Sequence, residues 1–332
     1  MAQLKKKIVV IGGGTGSFVV LSGLKEFPLN LTAIVAVTDD GGSTGRLRDE
    51  FGFLPVGDMR QCIAALAIGN SQPDLTQKLL LYRFSKGEGL EGHNLGNLIL
   101  TALEDLAGSE SKALEYASKI FRLKGKVLPV SLKLVKLAAR YKSGQTIISE
   151  HKIEDHKIPA GDRIIKLYTL PAAKINPKAK DAILKADAII LGPGDLFAST
   201  IANLVFQGVK EAIRQSKAKI IYLVNLMTTF YQTQGFTAQN HIKTLENYLG
   251  RKVDYILLNK TKPPKNILKI YQKSKEFMVK DDLGNDRRVN RLDLLSPKMV
   301  IKTKSDELKR SILRHDPHKV AHAILNILWE IK

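Results

Sequence analysis

Two glycine-rich stretches near the start of the chain could hold an anion. Gly12-Gly13-Gly14-Thr15-Gly16-Ser17 comes first, and Thr38-Asp39-Asp40-Gly41-Gly42-Ser43-Thr44-Gly45-Arg46-Leu47-Arg48 follows. Glycines expose backbone N–H groups and admit an anionic ligand close to the main chain. A helix starting at each cluster would turn its positive end toward phosphate oxygens. Arg46 or Arg48 could clamp a pyrophosphate through two N–H donors. Asp39 and Asp40 are poor phosphate neighbours and need other work. One could accept hydrogen bonds from a ribose or sugar hydroxyl, and the pair could hold Mg²⁺ against a diphosphate. The alternative for the acids is an Asx-type turn at a strand end. Acid, acid, glycine, hydroxyl and arginine in that order suit a nucleoside diphosphate with a polar appendage.

Rival motifs fit less well. A dinucleotide fingerprint would use Gly12 and Gly14 but meets Ser17 at its last position, with Asp39 or Asp40 near the place of a ribose-binding acid. No Gly-Lys-Ser/Thr follows either cluster, so the P-loop pattern fails. Gly41 to Gly45 spell the hydrolase elbow G-x-S-x-G, yet two acids separate it from its strand and no histidine partner is marked locally.

The elements that must position these residues follow from periodicity. Short apolar runs at Lys7–Ile11, Leu31–Val37, Ala188–Leu191, Ile220–Val224 and Val253–Leu258 read as buried strands. Helical spacing predicts helices over Ser17–Phe27, Asp58–Ile68, Asp74–Phe84, Asn94–Leu106, Ser109–Phe121, Leu196–Gln215, Thr237–Leu249 and Pro317–Ile331. Between them lies a strand-rich interlude: Lys126–Val130, Leu134–Lys142, Gln145–Ser149 and Arg163–Thr169. Alternating strands and helices predict an α/β fold with a mainly parallel sheet covered on both faces, one unit over 1–332 with a small β insertion at 125–170. Ligands of such sheets bind beyond the strand C-termini. Polar or glycine clusters fall there repeatedly: after the first two strands, at Gly192, Gly194 and Asp195, at Asn225 to Thr228, and at Asn259.

Composition narrows the classes. The 332 residues are 44% hydrophobic, enough for a substantial core. One cysteine, Cys62, excludes an internal disulfide framework and suits a reducing cytoplasm. No apolar run approaches the ~18 residues of a membrane span, so no membrane insertion is expected. The net charge is +20, and eight Lys/Arg with no acid lie between Glu115 and Glu150. Such a balance can attract nucleic acid. Aromatics are only 6% and do not interleave with the cations as a stacking platform requires, so a solvated lysine-rich surface is the expectation.

Together GGGTG (12–16), TDDGGSTGRLR (38–48), PVGDMR (55–60), GHNLGNLIL (92–100), GKVLP (125–129), LGPGDLFAST (191–200) and RHDPHKVA (314–321) resemble the YvcK-type gluconeogenesis-factor group of the CofD-like superfamily. The resemblance spans nearly the whole chain. It implies a three-layer α/β/α Rossmann-like fold. It further implies a cytoplasmic protein that binds UDP-sugars such as UDP-N-acetylglucosamine and supports cell shape and envelope synthesis during gluconeogenic growth. The related branch comprises 2-phospho-L-lactate transferases that use Mg²⁺ and a GDP-linked donor, which leaves a Mg-dependent transferase as the alternative. By resemblance, Asp40 falls where that branch holds its acceptor, and Arg314 and Tyr271 fall where the group holds the sugar nucleotide. One departure stands out. Where the family reads Gln-Pro-Gly-Glu-Thr, this chain has Thr229-Phe230-Tyr231-Gln232-Thr233.

The binding set expected from the two lines of reasoning is Gly13, Gly14, Thr15, Gly16, Asp39, Asp40, Gly41, Gly42, Ser43, Arg46, Asn94, Asn97, Gly192, Gly194, Asp195, Asn225, Tyr271 and Arg314. Asp39 and Asp40 are the metal candidates, Mg²⁺ being an optional ion and no cofactor required. Asn94 and Asn97 read as helix-start residues first and ligand contacts second, and Asp195 as a helix cap. His93 reads equally as a phosphate donor or a cap partner. His315, His318 and His322 lack the companions of a metal centre. Regulatory protein partners and a homo-oligomer remain open.

Overall fold

The computed structural model describes residues 5–68, 75–155, 161–299 and 311–330. Lys7–Ile11 (β1), Asn30–Val35 (β2) and Lys126–Pro129 (β3) pair side by side. Lys136–Tyr141 (β4), Thr146–Ile148 (β5) and Ile164–Leu170 (β6) form a separate antiparallel sheet in the order β5-β4-β6. Ala188–Leu191 (β7), Lys219–Leu223 (β8), Tyr255–Asn259 (β9) and Val289–Leu292 (β10) complete the main sheet. Its order is β10-β9-β8-β7-β1-β2-β3, with every neighbouring pair parallel. Ile8, Val9, Val10 and Ile11 are all buried, as are all four residues of β7. Continuous apolar runs of this kind belong to strands covered on both faces.

The helices are Gly14–Leu24 (α1), Gly42–Phe51 (α2), Gly57–Leu66 (α3), Leu75–Leu81 (α4), Leu95–Ala107 (α5), Glu110–Ile120 (α6), Glu150–Asp155 (α7), Pro177–Leu184 (α8), Val209–Gln215 (α9), Ala238–Leu249 (α10), Lys265–Lys273 (α11) and Pro317–Glu330 (α12). α1 packs with α3 and α12, while α9 packs with α8 and α10. The result is the expected three-layer α/β/α arrangement. The chain leaves β1 toward β2 and β3 on one side, whereas β7 to β10 extend on the other. The gap between β1 and β7 is thus the topological switch point, where open parallel sheets hold ligands.

Several expectations need correcting. Lys126–Pro129 is not part of a β insertion; it is an edge strand of the main sheet, paired with β2, and the separate β unit begins at Lys136. α1 starts within the glycine cluster rather than at Ser17, with Gly13 as its N-cap. The stretch Leu196–Gln215 is not one helix. It forms a π-turn at Leu196–Thr200, a 3₁₀ turn at Ile201–Asn203, and then α9 after Gly208, whose φ of 93° breaks the helix. α8 is an additional helix whose signal is Asn176-Pro177: the Asn176 side chain accepts the Lys178 amide and proline occupies the first turn. Residue 74 of the expected Asp74–Phe84 helix and residue 331 of the closing helix lie outside the described residues.

Candidate functional site

The tips of β1 and β7 meet backbone to backbone. A Cβ placed on Gly16 would lie 2.7 Å from the Gly194 amide nitrogen and 2.8 Å from the Pro193 carbonyl carbon. Glycine is therefore required at 16 for close approach. Asn225, just beyond β8, donates from Nδ2 to the Gly194 carbonyl at 2.8 Å, and its Oδ1 is buried with no hydrogen bond. Thr200 Oγ1 donates to the Gly192 carbonyl at 3.3 Å. Gly13, Gly14, Thr15, Gly16, Gly192, Gly194 and Asn225 thus form one continuous rim.

A helix's first amides have no intrahelical acceptor. In α1 the Gly14 amide donates to Asp58 Oδ1 at 2.7 Å, so this acid, from the first turn of α3, occupies one of the donors expected for phosphate. The Thr15 and Gly16 amides remain in the same turn. In α2 the Gly41 amide is taken by Asp39 Oδ1 at 3.0 Å, an Asx-type turn. The amides of Gly42, Ser43 and Thr44 follow. Gly42 has φ 46° and open space where a Cβ would stand, so the approach to this helix end is unobstructed.

Asn94 and Asn97 shape the α2 end from behind. Asn94 caps α5, its Oδ1 accepting the Gly96 and Asn97 amides. Asn97 Nδ2 donates to Ser43 Oγ at 3.2 Å and Thr44 Oγ1 at 3.3 Å, and its Oδ1 accepts from Arg60 Nε at 2.7 Å. Ser43 also lies 3.2 Å from His93 Nδ1. Burial, then the Arg46 charge, lowers the His93 pKa below its ordinary value and favours the neutral ring. Both asparagines are buried and act as supports for the loop.

The two loop acids have different environments. Asp40 Oδ1 accepts from Ser149 Oγ at 3.1 Å and the His151 amide at 3.0 Å, and Oδ2 lies 4.0 Å from buried Arg48. It docks the β4–β6 unit onto the loop. Ser149 carries φ 114°, rare for a side-chain-bearing residue. Asp39 faces Thr44 and Gly57, and burial raises its pKa, partly offset by the Gly41 amide and the Thr44 hydroxyl.

The docked α7 brings in acids that no local motif marks. Thr38 Oγ1 donates to Glu150 Oε2. Burial, then the charge of Asp39, lifts the Glu150 pKa well above the carboxylate range. Glu154 is lifted by burial, then by Asp195, Asp39 and Asp58. Asp39, Asp58, Glu150, Glu154 and Asp195 therefore share one electrostatic neighbourhood. Asp58 had a signal, since it sits in the PVGDMR stretch. Glu150 and Glu154 arrive only through the tertiary docking of α7. Among the described residues no three His, Cys, Asp or Glu side chains stand grouped as a metal centre. Asp195 makes no side-chain cap; its carbonyl accepts the Ser199 and Thr200 amides.

Arg46 is exposed, and its Nη2 donates to the Glu91 carbonyl at 3.3 Å. Tyr271 and Arg314 gather at the β8 side. The Leu313 amide donates to Tyr271 Oη at 3.0 Å. Segment 313–316 runs beside 294–296, with the Ser296 amide bonded to the Arg314 carbonyl. Next to it burial pushes the His315 pKa down to about 3, partly offset by its hydrogen bond to the Val224 carbonyl. Leu226, Ile267, Tyr271, Leu295 and Leu313 pack this corner. The altered 229–233 loop is closed on itself, the Thr229 amide donating to Thr233 Oγ1 at 2.8 Å. It is tied to the π-turn by the Ala198 amide, which donates to Gln232 Oε1. From the β2 tip to the β8 tip is three strand spacings, roughly 14 Å.

Residues 8–299 match the family described as 2-phospho-L-lactate transferase CofD. The gluconeogenesis factor of Bacillus subtilis is 37% identical over 98% of this chain and 99% of its own. That of Halalkalibacterium halodurans is 37% identical over 97% of this chain and 96% of its own. A crystal structure of a UPF0052-family member from Bacillus halodurans superposes with a TM-score of 0.86 at 36% identity. It covers 98% of this chain and all of that one.

Proposed function

The chain belongs to the CofD family, in the group whose curated members are called gluconeogenesis factors, and from that premise we propose that its strand-tip rim binds a nucleoside diphosphate sugar. UDP-N-acetylglucosamine is the expected ligand, and the protein acts as a regulator of cell shape and envelope synthesis during gluconeogenic growth. One observation carries the reading: two helices, α1 and α2, start at the tips of the adjacent strands β1 and β2, beside the β1/β7 switch point, and their first-turn amides have no acceptor within the helix. The roughly 14 Å from the β2 tip to the β8 tip suits a ligand with two ring systems joined by a diphosphate rather than a lone phosphate.

The acids qualify how a diphosphate enters. Burial favours the neutral form of Glu150 and Glu154, so the charge that would repel it comes from the aspartates of the same neighbourhood, Asp39, Asp58 and Asp195. They are hard oxygen donors that suit Mg²⁺, which is held by one or two carboxylates together with substrate phosphates rather than by a full protein cage. Asp39 and Asp195 would hold the ion, since Asp40 is committed to Ser149, His151 and Arg48. A bound Mg²⁺ would offset the charge of the diphosphate. The Thr15, Gly16, Gly42 and Ser43 amides would orient its oxygens, and Arg46 would swing from Glu91 to close over it.

Thermal unfolding with nucleoside diphosphates and their sugar conjugates, with and without Mg²⁺, tests this. At a hundred times Kd a ligand stabilises the native state by about 2.7 kcal/mol. With an unfolding entropy near 0.7 kcal/mol/K for 332 residues, Tm rises by about 4 °C. No shift with any nucleoside diphosphate would overturn the proposal. The family's transferase description favours a second reading, transfer of a phosphate-linked group. Turnover of a nucleotide-linked donor, rather than binding alone, would select it.

A further inference from the structure

The β4–β6 sheet has an outer face that the strand-tip site does not use. Register places Lys136 beside Leu170, Ala138 beside Tyr168 and Ile148, and Arg140 beside Lys166 and Thr146. Leu134 precedes Lys136 in the same alternation. The opposite face, with Leu137, Ala139, Tyr141 and Leu167, is buried. On the outer face Leu134 is 37% exposed, Ile148 44% and Leu170 39%, and the three cations are exposed.

Arg140 and Lys166 stand directly across the strands, an arrangement that opposes folding unless an anion compensates it. No acid of the two longer strands relieves them. Asp162 is turned into the Ser143–Arg163 corner, accepting both amides, and Glu150 is buried against Thr38. We infer that this face adsorbs to an anionic lipid surface, its cations meeting headgroups and its aliphatic side chains entering the interface.

Other occupants fit the face less well. A second copy would bring the same three cations against themselves. Single-stranded nucleic acid needs open aromatic platforms, whereas the face has one aromatic, Tyr168, with Lys166 Nζ 5.6 Å over its ring. Lysines beside exposed aliphatic side chains are the composition of a membrane-surface contact rather than of a protein interface core, which is depleted in lysine. The inference is independent of the nucleotide site.

The test is cosedimentation of the full chain with vesicles of phosphatidylcholine containing 30% phosphatidylserine, against phosphatidylcholine alone. Each cation near such a surface contributes about a fivefold gain in partition, so K136Q/R140Q/K166Q should bind roughly a hundredfold more weakly. Its Tm should not fall, because the Arg140–Lys166 repulsion is removed. I148S/L170S should also bind less, whereas K217Q/K252Q/K269Q, changed at exposed lysines elsewhere, should bind as the parent does. No serine-lipid-dependent sedimentation overturns the inference. Equal binding by the first variant, or equal loss in the third, does the same. Binding of polyglutamate or an RNA oligonucleotide but not of vesicles also overturns it.

Discussion

Gly16→Ala is the substitution whose effect the geometry fixes best. The new Cβ would meet the Gly194 nitrogen at 2.7 Å, the Pro193 carbonyl carbon at 2.8 Å and its oxygen at 3.1 Å. All three are backbone, so no side chain can swing away and the β1 and β7 tips must part. Overpacking of this kind costs about 1–3 kcal/mol, offset by up to about 1 kcal/mol because alanine favours the helix. A net loss of about 1–2 kcal/mol lowers Tm by about 1.5–3 °C at 0.7 kcal/mol/K. Parting the tips also moves the α1 amides relative to Gly194 and Asn225, and nucleotide affinity should fall roughly tenfold. Gly192→Ala is the control. Its Cβ would find nothing nearer than Ser17 Oγ at 3.5 Å, so Tm should stay near the parent value. Differential scanning calorimetry and calorimetric titration of both variants read the contrast. Gly16→Ala as stable as Gly192→Ala and as tight as the parent would refute the reasoning.

The two loop acids should separate cleanly. Asp40→Ala strips the acceptor from the Ser149 hydroxyl and the His151 amide and the opposite charge from beside buried Arg48, and should destabilise by about 3 kcal/mol in chemical denaturation. Asp39→Asn, which removes a charge disfavoured by burial, should leave stability unchanged or raised while abolishing any Mg²⁺ dependence of nucleotide binding. Arg46→Ala, at an exposed residue, should keep Tm within about 1 °C and weaken nucleotide binding about tenfold in calorimetry. Burial lifts the Glu104 pKa to about 7. Burial, then the Glu104 charge, lifts Glu110 to about 8, with neither Glu110 oxygen hydrogen-bonded. Both lie above the unfolded value, so the folded chain binds more protons and stability should fall as pH rises from about 4.5 to 8. Glu110→Gln should flatten that fall and raise Tm at pH 8; an unchanged pH profile would argue against the buried pair.

The parallel sheet was legible because fully buried strands must be short continuous apolar runs, and β1, β7 and β8 are. The strand-tip clusters at 12–17, 38–48, 192–195 and 225 were legible for the same reason: each follows such a run. Boundaries within them were not, because Gly14 to Gly16 look like a turn until Asp58 and Gly194 fix them as the start of a helix. Asp40 carried no sign that its partner would be Ser149, 109 residues away. Glu150 and Glu154 belong to a short helix held by tertiary docking, and β10 is half-buried throughout, without the apolar run that marked its neighbours. Long-range contacts of this sort leave no local periodicity.

Calorimetric titration of UDP-N-acetylglucosamine into the full chain in the presence of Mg²⁺ tests the central claim most directly. The account predicts one saturable site whose affinity drops when the ion is chelated and again in Gly16→Ala. Absence of heat with this and every other nucleoside diphosphate conjugate, under conditions where the protein is folded, would contradict it.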